Sequence, residues 1–211
     1  SVNDSVDVLA AAFNADALGI GDPGGPDTAF NNGALVISQL NWRGPATVSV
    51  GAWTYTQPQD DAHDVDLGGA PFQRDAKGLY ATLEKAVWKS GDKTATAFLR
   101  GGVSDGRTTD FAGSVQAGVL FEKPVAARPD SAASIGVATA FTSDAFQSNA
   151  RDAGFSPADS ETTIEFAYSD KPASWLTLQP DVQLTFNPGG DDSADMGLTV
   201  GLRISIQPWG N

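Results

Sequence analysis

The sequence contains no cysteine in 211 residues, which excludes disulfides, zinc–thiolate sites and cysteine nucleophiles while leaving the compartment open. Positive charge is scarce as well. Thirteen Lys and Arg face 26 Asp and Glu, for a formal net charge of −13. Binding nucleic acid through its phosphates needs clustered basic residues that this chain lacks, so no nucleic-acid partner is expected. There is one histidine, which leaves little material for His-based catalysis or a His-rich metal centre. No run of about 18 apolar residues occurs, which rules out a transmembrane helix. It does not rule out a transmembrane barrel, whose strands are apolar on one side only. The chain begins at Ser1 with neither a methionine nor a charged, apolar leader, so a mature form or a fragment is expected.

Period-two alternation is abundant, and no convincing amphipathic helix stands out. In residues 194 to 207, Met196, Leu198, Val200, Leu202, Ile204 and Ile206 share one face, and Thr199, Gly201, Arg203, Ser205 and Gln207 share the other. In 175 to 190, Leu176, Leu178, Val182, Leu184 and Phe186 oppose Thr177, Gln179, Asp181, Gln183 and Thr185, with Pro180 on the apolar side. Ile164, Phe166 and Tyr168 oppose Thr163, Glu165 and Ser169. The set Ser134, Gly136, Ala138 and Ala140, opposite Ile135, Val137 and Phe141, is too small to be a packed core. Residues 114 to 121 follow the same rule, and weaker versions near 79–88, 94–103, 46–56, 34–43 and 6–20 bring the total to about ten strands.

The connections alternate in length. Short ones fall at 43–45, 89–93, 122–130 and 170–174; long ones at about 21–33, 57–77, 103–110, 142–160 and 187–194. In an up-and-down antiparallel sheet this puts every long loop at one end, the asymmetry of outer-membrane barrels. The fold class expected is therefore all-β, an antiparallel up-and-down transmembrane β-barrel of about ten strands in this chain. Its apolar side would meet lipid and its polar side a wet lumen. Trp42, Trp88, Phe121, Phe141, Tyr168, Trp175 and Phe186, near strand ends, are the candidate interfacial girdle. A soluble β-sandwich also alternates, but it has no reason to alternate short and long connections.

Residues 162–190, TTIEFAYSDKPASWLTLQPDVQLTFNPGG, and the strand ADMGLTVGLRISIQ after them resemble the C-terminal part of the carbohydrate-selective porins of the OprB family. The resemblance rests on Glu165, Trp175, Leu178, Pro180, Asp181, Gln183, Pro188, Gly189, Gly201, Leu202 and Arg203; GLYATLEKAVW and GSVQAGVLFEKPVAARPDSAASIGVA support it less distinctively. It implies an outer-membrane channel for sugars and small hydrophilic solutes in a Gram-negative bacterium, a homotrimer of barrels, with outer-membrane lipid around it and no cofactor. Members of that family are larger barrels of about sixteen strands, within the even-numbered range of such proteins. Residues 1–211 are then a single barrel domain, the C-terminal portion of one, or part of a barrel completed by another chain.

Sugars are held by planar charged groups that bond paired hydroxyls and by aromatic faces. The inward register offers Arg100, Glu165, Asp181, Gln183, Arg203 and Glu84 for the first role, and Trp53, Tyr80, Tyr55 and Phe98 for the second. Each charged group could instead be structural, with Arg203 neutralising Asp181 or Glu165 across adjacent strands. Pro180 could shape a bulge or edge. His63 lies in DDAHDVD, where Asp60, Asp61, Asp64 and Asp66 offer oxygens to a hard cation; a solvated charge run outweighs that reading, and no metal site is expected. No Gly-x-Ser-x-Gly occurs, and the glycine-rich GIGDPGG and NPGGDD read as turns, so no enzyme is expected. Two other functions fit the pattern: a structural or adhesive barrel without transport, and a soluble β-rich carbohydrate-binding domain.

Overall fold

The computed structural model describes residues 5–15 and 30–207; the GIGDPGG turn and positions 16–20 of the first expected strand lie outside the described residues. Ten strands form one antiparallel sheet: β1 (Val6–Asn14), β2 (Ala34–Arg43), β3 (Thr47–Tyr55), β6 (Lys77–Ser90), β7 (Lys93–Ser104), β8 (Phe111–Glu122), β9 (Ala132–Thr142), β10 (Ser160–Ala173), β11 (Leu176–Phe186) and β12 (Gly197–Ile206). The order β1-β2-β3-β6-β7-β8-β9-β10-β11-β12 pairs every strand with its neighbours in sequence, save that a two-stranded ribbon, β4 (Gln59–Val65) and β5 (Pro71–Arg74), stands apart between β3 and β6. The sheet is up-and-down, and it is open: β1 and β12 are its edges and do not pair with each other.

The registers show why the sequence alternates. One row across all ten strands reads Val6, Trp42, Val48, Leu83, Leu99, Ala117, Val137, Ile164, Leu184, Leu198. The row one residue away, on the opposite face, reads Asp7, Asn41, Ser49, Thr82, Arg100, Gln116, Ala138, Thr163, Thr185, Gly197. A one-residue slip of any strand would exchange its two faces, so the pattern fixes the register.

Burial runs opposite to that of a water-soluble protein. Among the described residues the buried apolar ones are five alanines, Ala76, Ala95, Ala145, Ala158 and Ala167, whereas Val200 is 71% exposed; on the polar face Asn41 is only 6% exposed. Among the described residues no second sheet covers the apolar side. A β-sandwich needs such a sheet about 10 Å away, so the reading as a soluble carbohydrate-binding domain is corrected. The side chains on the polar face are the more crowded, as on the inside of a curved sheet.

Aromatic residues mark both margins of the apolar face. Trp88, Phe121 and Tyr168 share a row with Ala95 and Ala133 toward the short turns. Phe141 and Phe186 end their strands toward the long loops. From the Phe121 level on β9, at Ala133, to Phe141 is eight residues, roughly 26 Å along the strand. With a tilt of about 40° this is roughly 20 Å normal to a membrane, close to the height of an outer-membrane apolar band.

The connections alternate in side as expected, and in length with one departure. Residues 44–46, 91–92, 123–131 and 174–175 join strands at one end, and 56–76, 105–110, 143–159 and 187–196 join them at the other; the short segment 105–110 is the departure, being shorter than 123–131. One long loop holds a helix that no sequence pattern announced, α1 (Asp144–Asp152), begun by Ser143 accepting from the Phe146 N–H. Its signals are local: a serine cap, Asp144 in the first turn and Arg151 in the last. No helix among the described residues is long and apolar enough to cross a membrane, which says nothing about strands.

Candidate functional site

Every sequence-derived candidate falls on the polar face. Glu165 pairs with Gln183, Asp181 with Gly201, Arg203 with Gln179, Arg100 with Thr82, Glu84 with Phe98, Tyr80 with Gly51 and Trp53 with Gly78. All but Arg203 gather into three groups. On β10 and β11, Gln183 Nε2 donates to Glu165 Oε2 at 2.7 Å and to Asp181 Oδ2 at 3.4 Å. On β6 and β7, Glu84 stands opposite Phe98, and the Arg100 guanidinium lies 5.0 Å over the Phe98 ring, a cation–π distance. On β2, β3 and β6, the Tyr80 hydroxyl donates to Gln39 Oε1 at 2.8 Å, and Trp53 meets Tyr55 edge to face at 6.2 Å.

Glycines let these rings lie flat. A Cβ at Gly78 would come within 2.6 Å of the Trp53 indole, and one at Gly118 within 2.7 Å of Phe98; Tyr80 lies against Gly51 in the same way. Flat rings and backbone leave a wall of polar edges and aromatic faces, the surface chemistry that receives a polyol.

The expected neutralisation of Arg203 by Asp181 or Glu165 is not what forms. Among the described residues Arg203 makes no ion pair, because the register sets Asp181 against Gly201 and Arg203 against Gln179. A bulge at Asp170–Ala173 shifts the β10–β11 pairing near the turn, and pairing beyond a bulge cannot be counted from the sequence. Pro180, opposite Leu202 on the apolar face, lies two residues from Leu178, the partner of Asp170 where that shift begins.

Sequence reasoning missed a second polar network at β1–β3. Gln39 Nε2 and Ser49 Oγ both donate to Asn41 Oδ1, at 2.6 Å each, and Asn41 Nδ2 donates to Asp7 Oδ2 at 2.8 Å; Arg43 pairs with Asp7. The signal was present in Asn41 and Gln39 alternating with Leu40 and Trp42.

The acidic segment around His63 is neither a solvated charge run nor a cation site among the described residues. The Asp61 side chain is fully buried and bonded by Arg74 Nε at 2.9 Å and by the backbone N–H groups of His63 and Asp64. Burial alone would raise the Asp61 pKa, but those donors outweigh it and hold it at about 2. Arg107 reaches Asp64 at 3.0 Å, His63 bridges Asp64 at 2.9 Å and Asp152 at 3.3 Å, and Asn149 Nδ2 donates to the Ala62 carbonyl at 2.8 Å. Three long loops are thereby tied together at one end of the sheet.

Comparison with known proteins agrees with this geometry. The chain is 26% identical over 204 residues to Porin B of Pseudomonas aeruginosa, an alignment covering 82% of this chain and 45% of that protein. A solved structure of OprB from Pseudomonas putida, at high pH, superposes with a TM-score of 0.84 at 23% identity, covering 98% of this chain and 56% of the other. The chain thus spans about half the length of the proteins it matches. The carbohydrate-selective porin, OprB family profile matches residues 1–207, and the chain belongs to that family.

Proposed function

We propose that this chain forms part of the wall of an outer-membrane porin through which sugars and small hydrophilic solutes diffuse passively in a Gram-negative bacterium. The observation that carries this reading is the inverted partition between two adjacent rows: ten apolar residues on one face and ten polar or small residues on the other, with the apolar side chains outward and uncovered. Lipid accounts for the first row and a water-filled lumen for the second. Family membership supports the solute class. Glu84, Arg100, Glu165, Asp181, Gln183 and Arg203 then replace part of a sugar's hydration, and Trp53, Tyr80 and Phe98 offer ring faces. Transport follows the gradient, and no bond is made or broken.

The open sheet adds a requirement. Unpaired backbone groups in hydrocarbon cost several kcal/mol each, so the β1 and β12 edges need partners in a bilayer. Further strands close the barrel, and closed barrels assemble as a homotrimer; both statements belong to this proposal. Liposome swelling tests the reading: vesicles carrying the protein swell in isosmotic glucose and more slowly in a larger oligosaccharide. Swelling no faster than in protein-free vesicles, with insertion verified, contradicts it.

A further inference from the structure

At the long-loop end, a cavity of about 490 Å³ opens between α1 and the Pro188–Gly190 turn, within the size range of small-ligand sites. It is separate from the candidate groups on the sheet. Phe146, Phe155, Asn149, Asp110 and Asp191 line it, with Gly190 at its base. Three connections supply these residues, and backbone bonds stitch them together. The Ser143 N–H donates to the Asp110 carbonyl at 2.9 Å, Ala158 to Gly190 at 2.8 Å and Asp192 to Ser156 at 2.9 Å.

The walls are set before any ligand arrives. The Gly190 φ is +70°, and a Cβ there would stand 2.9 Å from the Phe146 ring, so the ring rests on bare backbone. Asp191 Oδ1 is fixed by the Ser193 N–H at 2.8 Å and hydroxyl at 2.7 Å, and the Asn149 amide is anchored on the Ala62 carbonyl. A preformed site avoids the ordering cost of binding. Phe155, by contrast, is 64% exposed. It lies in a loop beyond the strands, where no lipid would cover it, and it gives the largely apolar cavity an open aromatic face beside the polar groups of Asp110, Asn149 and Asp191.

We propose that this cavity is a docking site for a neutral sugar at the loop-side entrance of the channel, with Phe155 stacking on the pyranose ring and the Asp110 and Asp191 carboxylates accepting its hydroxyls. The proposal rests on the sugar-channel reading and extends it to a capture step before the lumen. The chemistry is selective. Two carboxylates repel anions, and a purely apolar ligand would desolvate them without return; a polyol satisfies both carboxylates and ring.

The test replaces Phe155 by para-fluorophenylalanine in the membrane-reconstituted protein and follows its fluorine NMR signal during a glucose titration. The signal moves saturably, and Asp110→Asn shifts the midpoint to about three- to tenfold higher glucose, the effect of losing one charge-assisted acceptor. A fluorine signal indifferent to glucose, in protein that passes glucose in the swelling assay, overturns the docking site and leaves the channel standing. A saturable response that Asp110→Asn leaves unchanged overturns it too. A response with the expected Asp110 effect but without glucose flux keeps the site and removes the channel reading.

Discussion

Phe98 lies flat across Gly118 of the neighbouring strand, and a Cβ at Gly118 would meet both Phe98 Cε1 and the Ile135 carbonyl oxygen at 2.7 Å. The ring could swing away, but the carbonyl belongs to a paired strand and cannot. Gly118→Ala is therefore expected to destabilise the sheet by about 1–3 kcal/mol, the usual cost of overpacking. Phe98→Ala in the same chain restores only part of it. The urea midpoint of the bilayer-inserted protein, for the single and double variants, measures both effects.

Val137 and Ala138 are adjacent in sequence and lie on opposite faces. Val137 sits between Ala117 and Ile164 on the apolar face, midway between the Ala133 and Phe141 levels; Ala138 sits between Gln116 and Thr163 and is exposed on the polar side. Val137→Arg is expected to cost about 2–4 kcal/mol of folding stability in a bilayer, as a cation near the midplane does. Ala138→Arg leaves stability within about 0.5 kcal/mol. Equal costs at the two sites would mean that the faces are wrongly assigned.

The tie between His63 and α1 depends on pH. Hydrogen bonds to Asp64 and then Asp152 raise the His63 pKa above its usual 6.5, favouring the protonated ring. With a raised folded value, the stabilisation is complete below about pH 6.5 and is lost as pH rises through the folded value. Arg74 and Arg107 also face Asp64, so the carboxylate stays paired when His63 discharges. Amide exchange in Asp144–Asp152, corrected for its intrinsic pH dependence, is expected to be faster at about pH 8.5 than at about pH 5.5. His63→Ala removes that difference. Asp61 behaves oppositely: its contribution is present above about pH 4 and fades only as pH falls toward about 2.

Much of this was legible in the sequence, for a definite reason. In β11 and β12, Leu184 and Val200 alternate with Gln183 and Thr199 because lipid and water demand opposite chemistry at successive residues, and that demand is written locally. The face of every candidate residue follows from parity along its own strand. What parity does not carry is the partner across the gap. Arg203 meets Gln179 rather than Asp181 because the register of β11 against β12 is set by the connection between them, residues 187–196, and not by parity. The loop network was hidden for a stronger version of the same reason. His63 and Asp152 are 89 residues apart, and nothing between them predicts the contact. The nine-residue α1 is too short for helical periodicity to rise above its surroundings.

The central claim, that the polar face lines a sugar-permissive lumen, is tested most directly by single-channel conductance in a planar bilayer, with glucose titrated against the ion current of the intact assembly. The account predicts discrete conductance steps that glucose partly blocks in a concentration-dependent manner. A correctly inserted assembly that shows no steps, or steps indifferent to sugar, would contradict it.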